Sequence, residues 1–299
     1  MKIMDWPKDE VAREAAGSGK PLEVACAQAF IAKGWQARLG SYYEDPAKGA
    51  RELDALVLKE ETIQAPAPLV CRLRVLASCR GFPPDTSPLT YSVSAGTAQT
   101  FAPKLFARYH AMQPIPPKQT AYGPIDEIEE SGARHLLRLS HLEKSRPVVA
   151  LAQLNRSEMT KGKGKQASKK VGYKIQGDKE LFSAIDSCVK ATLYWTGGNM
   201  EHLGGITYYA SLNVPVCILL HPFWDVCIDG GQVSSAQIVY RGYQTSSIPV
   251  LLDHSTQREI TTLFWHADQL DDLVQVLDEL FLWFKAEIEK SQYYLRWST

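Results

Sequence analysis

The sequence lacks an excess of charge of either sign. Its 299 residues carry 33 basic and 33 acidic side chains, so the formal net charge is zero with histidine neutral. This balance excludes a uniformly basic protein that coats nucleic acid, but it leaves a local basic patch open. Hydrophobic residues make up 45% and charged residues 22%, which is typical of a globular protein and excludes disorder and collagen-like repeats.

Long hydrophobic runs are missing as well. No stretch approaches the roughly 18 consecutive apolar residues of a membrane helix. Residues 1–20 are polar and charged, without the apolar core of a secretory signal. We therefore expect a cytoplasmic protein with no membrane partner.

The sequence also lacks paired metal ligands of the zinc type. No CxxC pair occurs, and the seven histidines show neither HxH nor HxxxH spacing, which excludes a zinc site of the usual kinds. Most of the cysteines lie in apolar runs, which predicts reduced and buried thiols. The six are Cys26, Cys71, Cys79, Cys188, Cys217 and Cys227.

A phosphate-binding loop is excluded too. The segment GSGKP at 17–21 contains Gly-Lys, but Glu14 stands where the first glycine is required. Pro21 replaces the Ser or Thr that follows the lysine.

The first 85 residues predict one helix followed by three strands. Pro21 suits the first turn of a helix, Glu23 suits its positive end, and Gly34 suits the position after its last turn. The helix is predicted over 21–35, and the strands over 35–43, 51–59 and 69–80.

The rest of the chain predicts a long insertion and then a return to regular structure. Within the insertion, 86–177, we expect strands at 135–142 and 146–156 and a basic loop at 161–170. A helix over 178–195, strands over 213–220 and 233–244, and a last helix from Asp268 follow.

This order, α-β-β-β-(insertion)-α-β-β-α, predicts an α/β sandwich around a central mixed sheet. We expect one domain over 1–299, with its core in 20–85 and 178–299.

The N-terminal block carries a chemical pattern. Glu23 lies on the first helix, Asp54 on the second strand in Arg51-Glu52-Leu53-Asp54, and the third strand ends in Ser78-Cys79-Arg80. Carboxylates on a helix and a strand end can converge on Mg²⁺, which takes oxygen ligands and activates water for attack on phosphate. A cation two positions further along the next strand can steady that water or the phosphate.

This arrangement resembles the PD-(D/E)XK nuclease superfamily, in which a helix Glu is followed by Asp and then by (Asp/Glu)-x-Lys. The resemblance covers residues 21–81 by motif and 178–220 by element order. It implies the restriction-endonuclease-like fold, α-β-β-β-α-β, and DNA binding or Mg²⁺-dependent cleavage in prokaryotic defence or DNA maintenance. Glu23 and Asp54 match the two metal-binding acids of the pattern.

The sequence departs from that pattern at two positions. Ser78 stands where an acidic ligand is expected, and Arg80 stands where lysine is expected. Serine is a poor Mg²⁺ ligand and arginine cannot act as a base, so the metal site is either supplemented by another acid or inactive. Glu52, which shares a strand face with Asp54, is the first candidate for a substitute metal ligand, and Glu180 is the second.

Simpler interpretations of the same residues stay open. Glu23 can stabilise the helix dipole, and Arg51, Glu52 and Asp54 can form cross-strand ion pairs on an exposed face. Arg80 can pair locally with Asp85.

Two surfaces suggest partners. The basic loop is a candidate nucleic-acid contact, because each phosphate that it neutralises releases counterions. Its lysines are Lys161, Lys163, Lys165, Lys169 and Lys170. The alternative function is a non-enzymatic scaffold or regulatory subunit that binds a protein, or a second copy of itself, through its apolar C-terminal helix. Residues 251–299 carry nine acidic and four basic side chains, so we expect no DNA contact there.

Overall fold

The computed structural model describes residues 19–45, 48–63, 69–83, 85–93, 102–111, 123–161, 168–177, 179–196, 208–249 and 257–295. In these residues the fold is mixed α/β, with four α-helices and two mixed sheets. The helices are α1 (Lys20–Ile31), α2 (Gly123–Leu139), α3 (Lys179–Thr196) and α4 (Leu270–Leu295).

Strands make up most of the regular structure. In chain order they are β1 (Gln36–Asp45), β2 (Gly49–Ile63), β3 (Leu69–Arg80), β4 (Thr86–Val93), β5 (Phe106–Ala111), β6 (Val148–Lys161), β7 (Ser168–Gly177), β8 (Tyr208–Leu219), β9 (Phe223–Asp229), β10 (Gln232–Val239), β11 (Arg241–Pro249) and β12 (Gln257–His266).

The larger sheet has seven strands. Six of them lie in the order β1-β2-β3-β8-β12-β11, and the seventh, β5, pairs with β8 outside this order. β2 is antiparallel to both of its neighbours, β1 and β3, whereas β8 runs parallel to β3 and β12 runs parallel to β8. β3 is buried along nearly its whole length, as expected for a central strand covered on both faces.

Helices cover both faces of this sheet. Alternate residues of β3, such as Val75 and Cys79, pack in one core cluster with α1, α2 and α4. On the other face, Leu76 packs near Ala191 of α3, and the first turns of α3 pack against β8 and β12. The candidate chemistry at the end of β3 therefore lies between two helical layers.

The smaller sheet has five strands in the order β10-β9-β4-β6-β7. It combines β4, β6 and β7 of the predicted insertion with β9 and β10 from the C-terminal half. β4 runs parallel to β9, and the other pairs are antiparallel. Phe223 and Val148 place one face of this sheet against the α3 side of the core.

The structure confirms most of the elements predicted in the core. The first helix, the first three strands and the helix that became α3 agree within a few residues, and β3 agrees at both ends. The prediction of buried, unpaired thiols is confirmed for all six cysteines. No helix in the described residues has both the length and the apolar character needed to cross a membrane.

Several other predictions were wrong. Residues 135–142, predicted as a strand, mostly belong to α2, which begins at Gly123 and buries Ile128, Ala133 and Leu136 at helical spacing. The predicted strand 233–244 is divided between β10 and β11. The basic loop is shorter than predicted, since β6 continues to Lys161 and β7 begins at Ser168.

Candidate functional site

Strand pairing brings the predicted residues of β2 and β3 together. The antiparallel register pairs Ala55 with Ala77, so Asp54 lies at the next position, opposite Ser78. Arg80 follows two residues later and therefore shares a strand face with Ser78. The sequence pattern thus becomes a compact group at the end of the β2–β3 ladder.

One oxygen of Asp54 accepts three hydrogen bonds. The donors to Oδ2 are the Ser78 hydroxyl at 2.9 Å, the Cys79 backbone N–H at 2.8 Å and Arg80 Nη1 at 2.7 Å. Arg80 Nη1 also donates to the Cys79 carbonyl oxygen at 2.9 Å. The partner of Arg80 is therefore Asp54, and the local pairing with Asp85 considered above was wrong.

A second ion cluster forms where α1 meets β2. Lys20 Nζ donates to Glu23 Oε2 at 2.9 Å and to Glu52 Oε1 at 3.1 Å. The Glu23 side chain is only 6% exposed, whereas that of Lys20 is 62% exposed. Glu23 lies in the first turn of α1, where the helix dipole also favours its charge.

Two glycines lie next to these clusters. A Cβ at Gly19 would lie 3.7 Å from the Cys79 carbonyl oxygen and 3.8 Å from Glu23 Oε1. The start of α1 therefore approaches the same Cys79 peptide that contacts Asp54 and Arg80. Gly40 has a φ of +61°, and a Cβ there would lie 3.2 Å from Glu52 Oε1, so a side chain at this position would be strained and crowded.

The two cations are held in their charged forms. Burial, the largest single cause, lowers the pKa of Arg80, but the charge of Asp54 raises it together with smaller contributions from Cys217, Cys188 and Cys79, and the net shift is upward. Hydrogen bonds to Glu23 and Glu52 raise the pKa of Lys20. Neither side chain can accept a proton near neutral pH, so neither acts as a general base there.

The cysteine within the site is protonated. A hydrogen bond with the Cys26 thiol, together with burial, raises the pKa of Cys79 well above its usual range. Because the thiolate is the nucleophilic form, Cys79 contributes its backbone to the site and no reactive sulfur.

The carboxylates that would hold a metal are engaged by these cations. In the described residues, no three His, Cys, Asp or Glu side chains form a group able to hold a metal ion. The acids predicted as ligands are Glu23, Glu52 and Asp54, and the first two are joined by Lys20 while the third is paired with Arg80. A Mg²⁺ ion would have to displace one of these cations or use the carboxylate oxygens that these ion pairs do not engage, which are Glu23 Oε1, Glu52 Oε2 and Asp54 Oδ1.

Several predicted residues lie outside what the structure describes. They are the whole of Lys163 and Lys165 and the side chains of Lys161, Lys169, Lys170 and Glu180. Their nucleic-acid and metal roles stay predictions.

Sequence analysis missed Lys20. The signal was present, since Lys20 stands three residues before Glu23 and ion pairs at that spacing are common on helices. Within 17–21 the sequence was compared only with a phosphate-binding loop, so Lys20 was assigned no role. Its contact with Glu52 depends on how α1 lies over β2, which no local pattern gives.

Comparison of the chain with protein-family models, with curated proteins and with solved structures finds no match.

Proposed function

We propose that this chain is a nuclease-like protein that binds nucleic acid, DNA in preference to RNA. In this proposal its own cations, Arg80 and Lys20, occupy the place of Mg²⁺. It therefore binds without cutting, in a defence or DNA-maintenance setting where a catalytic partner supplies cleavage.

The order and pairing of the core elements support the nuclease-like origin. Apart from β4, β5, α2, β6 and β7, which lie between β3 and α3 in the chain, the first elements run in the order α1, β1, β2, β3, α3 and β8. They are a helix, three strands paired antiparallel to their neighbours, a helix and a strand parallel to the third. This is the order that the resemblance to PD-(D/E)XK nucleases implies. The matching residues lie at the end of β3 and the start of α1, where that order places the site.

The observation that carries the proposal is the Arg80–Asp54 pair. Arg80 Nη1 lies 2.7 Å from Asp54 Oδ2, and Ser78 donates to the same oxygen instead of supplying a second acid. An arginine in this position balances the Asp54 charge without a metal. It leaves neither a second carboxylate ligand nor a side-chain base at this point of the site.

The same cations are able to contact phosphate. The Arg80 side chain is 28% exposed, and its hydrogen bonds to described residues come from Nη1, so its other nitrogen donors can bind an anion. Lys20 is largely exposed. From Arg156 to Lys179 the chain adds eight basic residues against Glu158 and Asp178. These charges favour a polyanion on one side of a molecule whose net charge is zero.

The competing scaffold function rested on the apolar C-terminal helix. In the structure, the apolar residues of α4 from Leu273 to Ile288 are buried in the core, with the exception of Leu282, which is 58% exposed, and the partly buried Trp283. Most of the surface proposed for a partner is thus used within the chain. This favours the nucleic-acid proposal over the scaffold.

The test is a binding and cleavage experiment with labelled duplex and single-stranded DNA, in EDTA and in Mg²⁺ or Mn²⁺. We expect salt-sensitive binding of equal strength in EDTA and in metal, with no cleavage. Cleavage by the wild type that Asp54→Ala abolishes would show an active nuclease. No binding at low salt would favour the scaffold.

A further inference from the structure

The outer face of the smaller sheet carries a pocket away from the Asp54 site. It has a volume of about 290 Å³, at the lower end of the usual range for small-molecule sites. Apolar and aromatic side chains line it together with a cation, a histidine and an acid, which are Arg156, His221 and Asp85. Those that matter here are Leu154, Arg156, Tyr173, His221, Trp224 and Ile238.

The strand register explains why these residues share one face. Arg156 of β6 lies directly opposite Tyr173 of β7, and Trp224 of β9 lies directly opposite Ile238 of β10. Between these two pairs, Leu89 of β4 aligns with Trp224 on one side and with Ala152 of β6 on the other. Residues aligned in this way project to the same side of a sheet.

The two faces of this sheet differ in what covers them. On the inner face, Phe223 and Val148 pack into the core, and the buried Thr90 and Ser92 donate hydrogen bonds to Asp225. On the outer face, large apolar side chains are open to solvent, with Tyr173 at 67%, Ile175 at 56% and Ile238 at 50% exposure. Exposed apolar surface of this kind marks an interaction site.

The charge around the pocket identifies the occupant. Arg156 lies in the pocket, and the two strands that carry Arg156 and Tyr173 lead into 161–170, where five lysines stand in ten residues. Single-stranded nucleic acid binds to open sheet faces on which aromatic side chains lie beside cationic ones. Its bases stack on the rings while its phosphates meet Arg and Lys. In a duplex the bases are already stacked on each other and cannot reach such a face.

We propose that this face binds single-stranded nucleic acid, with a base stacked on Tyr173 and Trp224 and the adjacent phosphate held by Arg156. This inference rests on the proposed nucleic-acid function and names the form of nucleic acid and the surface that takes it. Asp85, also in the lining, is an acceptor for the amino group of a base.

The test measures fluorescence anisotropy of a labelled oligothymidylate with wild type, Tyr173→Ala, Trp224→Ala and Arg156→Ala. Matched controls are Tyr42→Ala, which removes a tyrosine of similar exposure (65%) from the larger sheet, and Arg134→Ala, which removes an exposed arginine from α2. We expect each aromatic variant to weaken binding about tenfold or more. The controls should change it by less than about twofold.

The outcomes separate the two proposals. Oligothymidylate binding that Tyr173→Ala and Trp224→Ala leave unchanged, with both variants folded by circular dichroism, overturns the inference and leaves the proposed function standing. Wild type that binds neither oligothymidylate nor duplex DNA at low salt overturns both. A concentration-dependent oligomer that Tyr173→Ala dissociates would assign the face to a second copy of the chain and also overturn the inference.

Discussion

At the scale of single residues, Asp54 holds the candidate site together. Its Oδ2 atom is the shared acceptor for Ser78, Cys79 and Arg80, and its side chain is only 14% exposed. Removing the carboxylate leaves a buried N–H, a buried hydroxyl and a mostly buried cation without this acceptor. Such a substitution lowers the free energy of unfolding, because donors that were desolvated on folding are left without a hydrogen-bond acceptor.

We therefore predict that Asp54→Ala lowers the free energy of unfolding by about 2–4 kcal/mol, measured by urea denaturation. Glu52→Ala is the matched control, since it also removes an acid bonded to a cation. Its side chain is 43% exposed and pairs with the exposed Lys20, so its removal should cost less than about 1 kcal/mol. Equal effects of the two substitutions would show that the Asp54 network adds little to stability.

The sequence allowed half of this site to be predicted. Asp54, Ser78 and Arg80 lie on two consecutive strands that the sequence predicts, and antiparallel pairing of these strands brings the three residues together. The cluster of Lys20, Glu23 and Glu52 could not be predicted in the same way. Its geometry depends on how α1 packs over β2. This is a tertiary contact between a helix and a strand, and the sequence periodicity of neither element specifies it.

At the scale of elements, α4 shows that an amphipathic helix can be predicted from its apolar stripe while the contact made by that stripe cannot. The stripe suggested a partner surface only as the alternative function. Instead the stripe completes the core against α1, α2 and the larger sheet, with Leu273, Leu277, Leu280 and Phe281 fully buried. Periodicity gives the buried face of a helix, but it does not say whether the same chain or another one covers that face.

A pair of substitutions on this helix tests that assignment. We predict that Leu280→Ala, at 0% exposure, destabilises the protein by about 2–5 kcal/mol, because it leaves a cavity in the core. Leu282→Ala, at 58% exposure on the same helix, should change stability by less than about 0.5 kcal/mol. Thermal unfolding followed by circular dichroism measures both. A larger effect at Leu282 would place the apolar contact on the opposite side of α4.

Elements without a strong apolar pattern were missed. The division of the predicted strand 233–244 into β10 and β11 was missed, because β10 is exposed at almost every position and its sequence shows no alternation of buried and exposed residues. β5 has only six residues and lies beside a proline-rich segment. Such strands form because neighbouring strands offer them hydrogen bonds, and that information lies elsewhere in the chain.

At the scale of the whole molecule, a net charge of zero is the sum of a basic segment and an acidic segment of the chain. The segment from Arg156 to Lys179 is strongly basic, and residues 251–299 carry nine acidic and four basic side chains. The smaller sheet joins the basic strands β6 and β7 to β4 and β9, which are distant in sequence. Local patterns indicated these charges, and the fold adds that Arg156 of β6 lies opposite Tyr173 of β7.

This charge separation predicts a specific salt dependence. Replacing Lys161, Lys163, Lys165, Lys169 and Lys170 by glutamine should weaken duplex DNA binding. The slope of log K against log salt should become shallower by about 0.9 for each phosphate that the variant no longer neutralises.

Filter binding over a range of salt concentrations measures this slope. The control variant Lys33→Gln/Lys290→Gln removes two exposed lysines from other surfaces and should keep the wild-type slope. An unchanged slope in the five-lysine variant would exclude these residues from the interface with DNA.

The central claim is that Arg80 and Lys20 take the place of a metal ion. Calorimetric titration of Mn²⁺ into wild type and into the Ser78→Asp/Arg80→Lys variant tests it most directly, because the variant restores the acid and the lysine that the nuclease pattern requires. The account predicts no saturable binding to wild type and saturable binding to the variant. Saturable binding of Mn²⁺ to the wild type, abolished by Asp54→Ala, would contradict it.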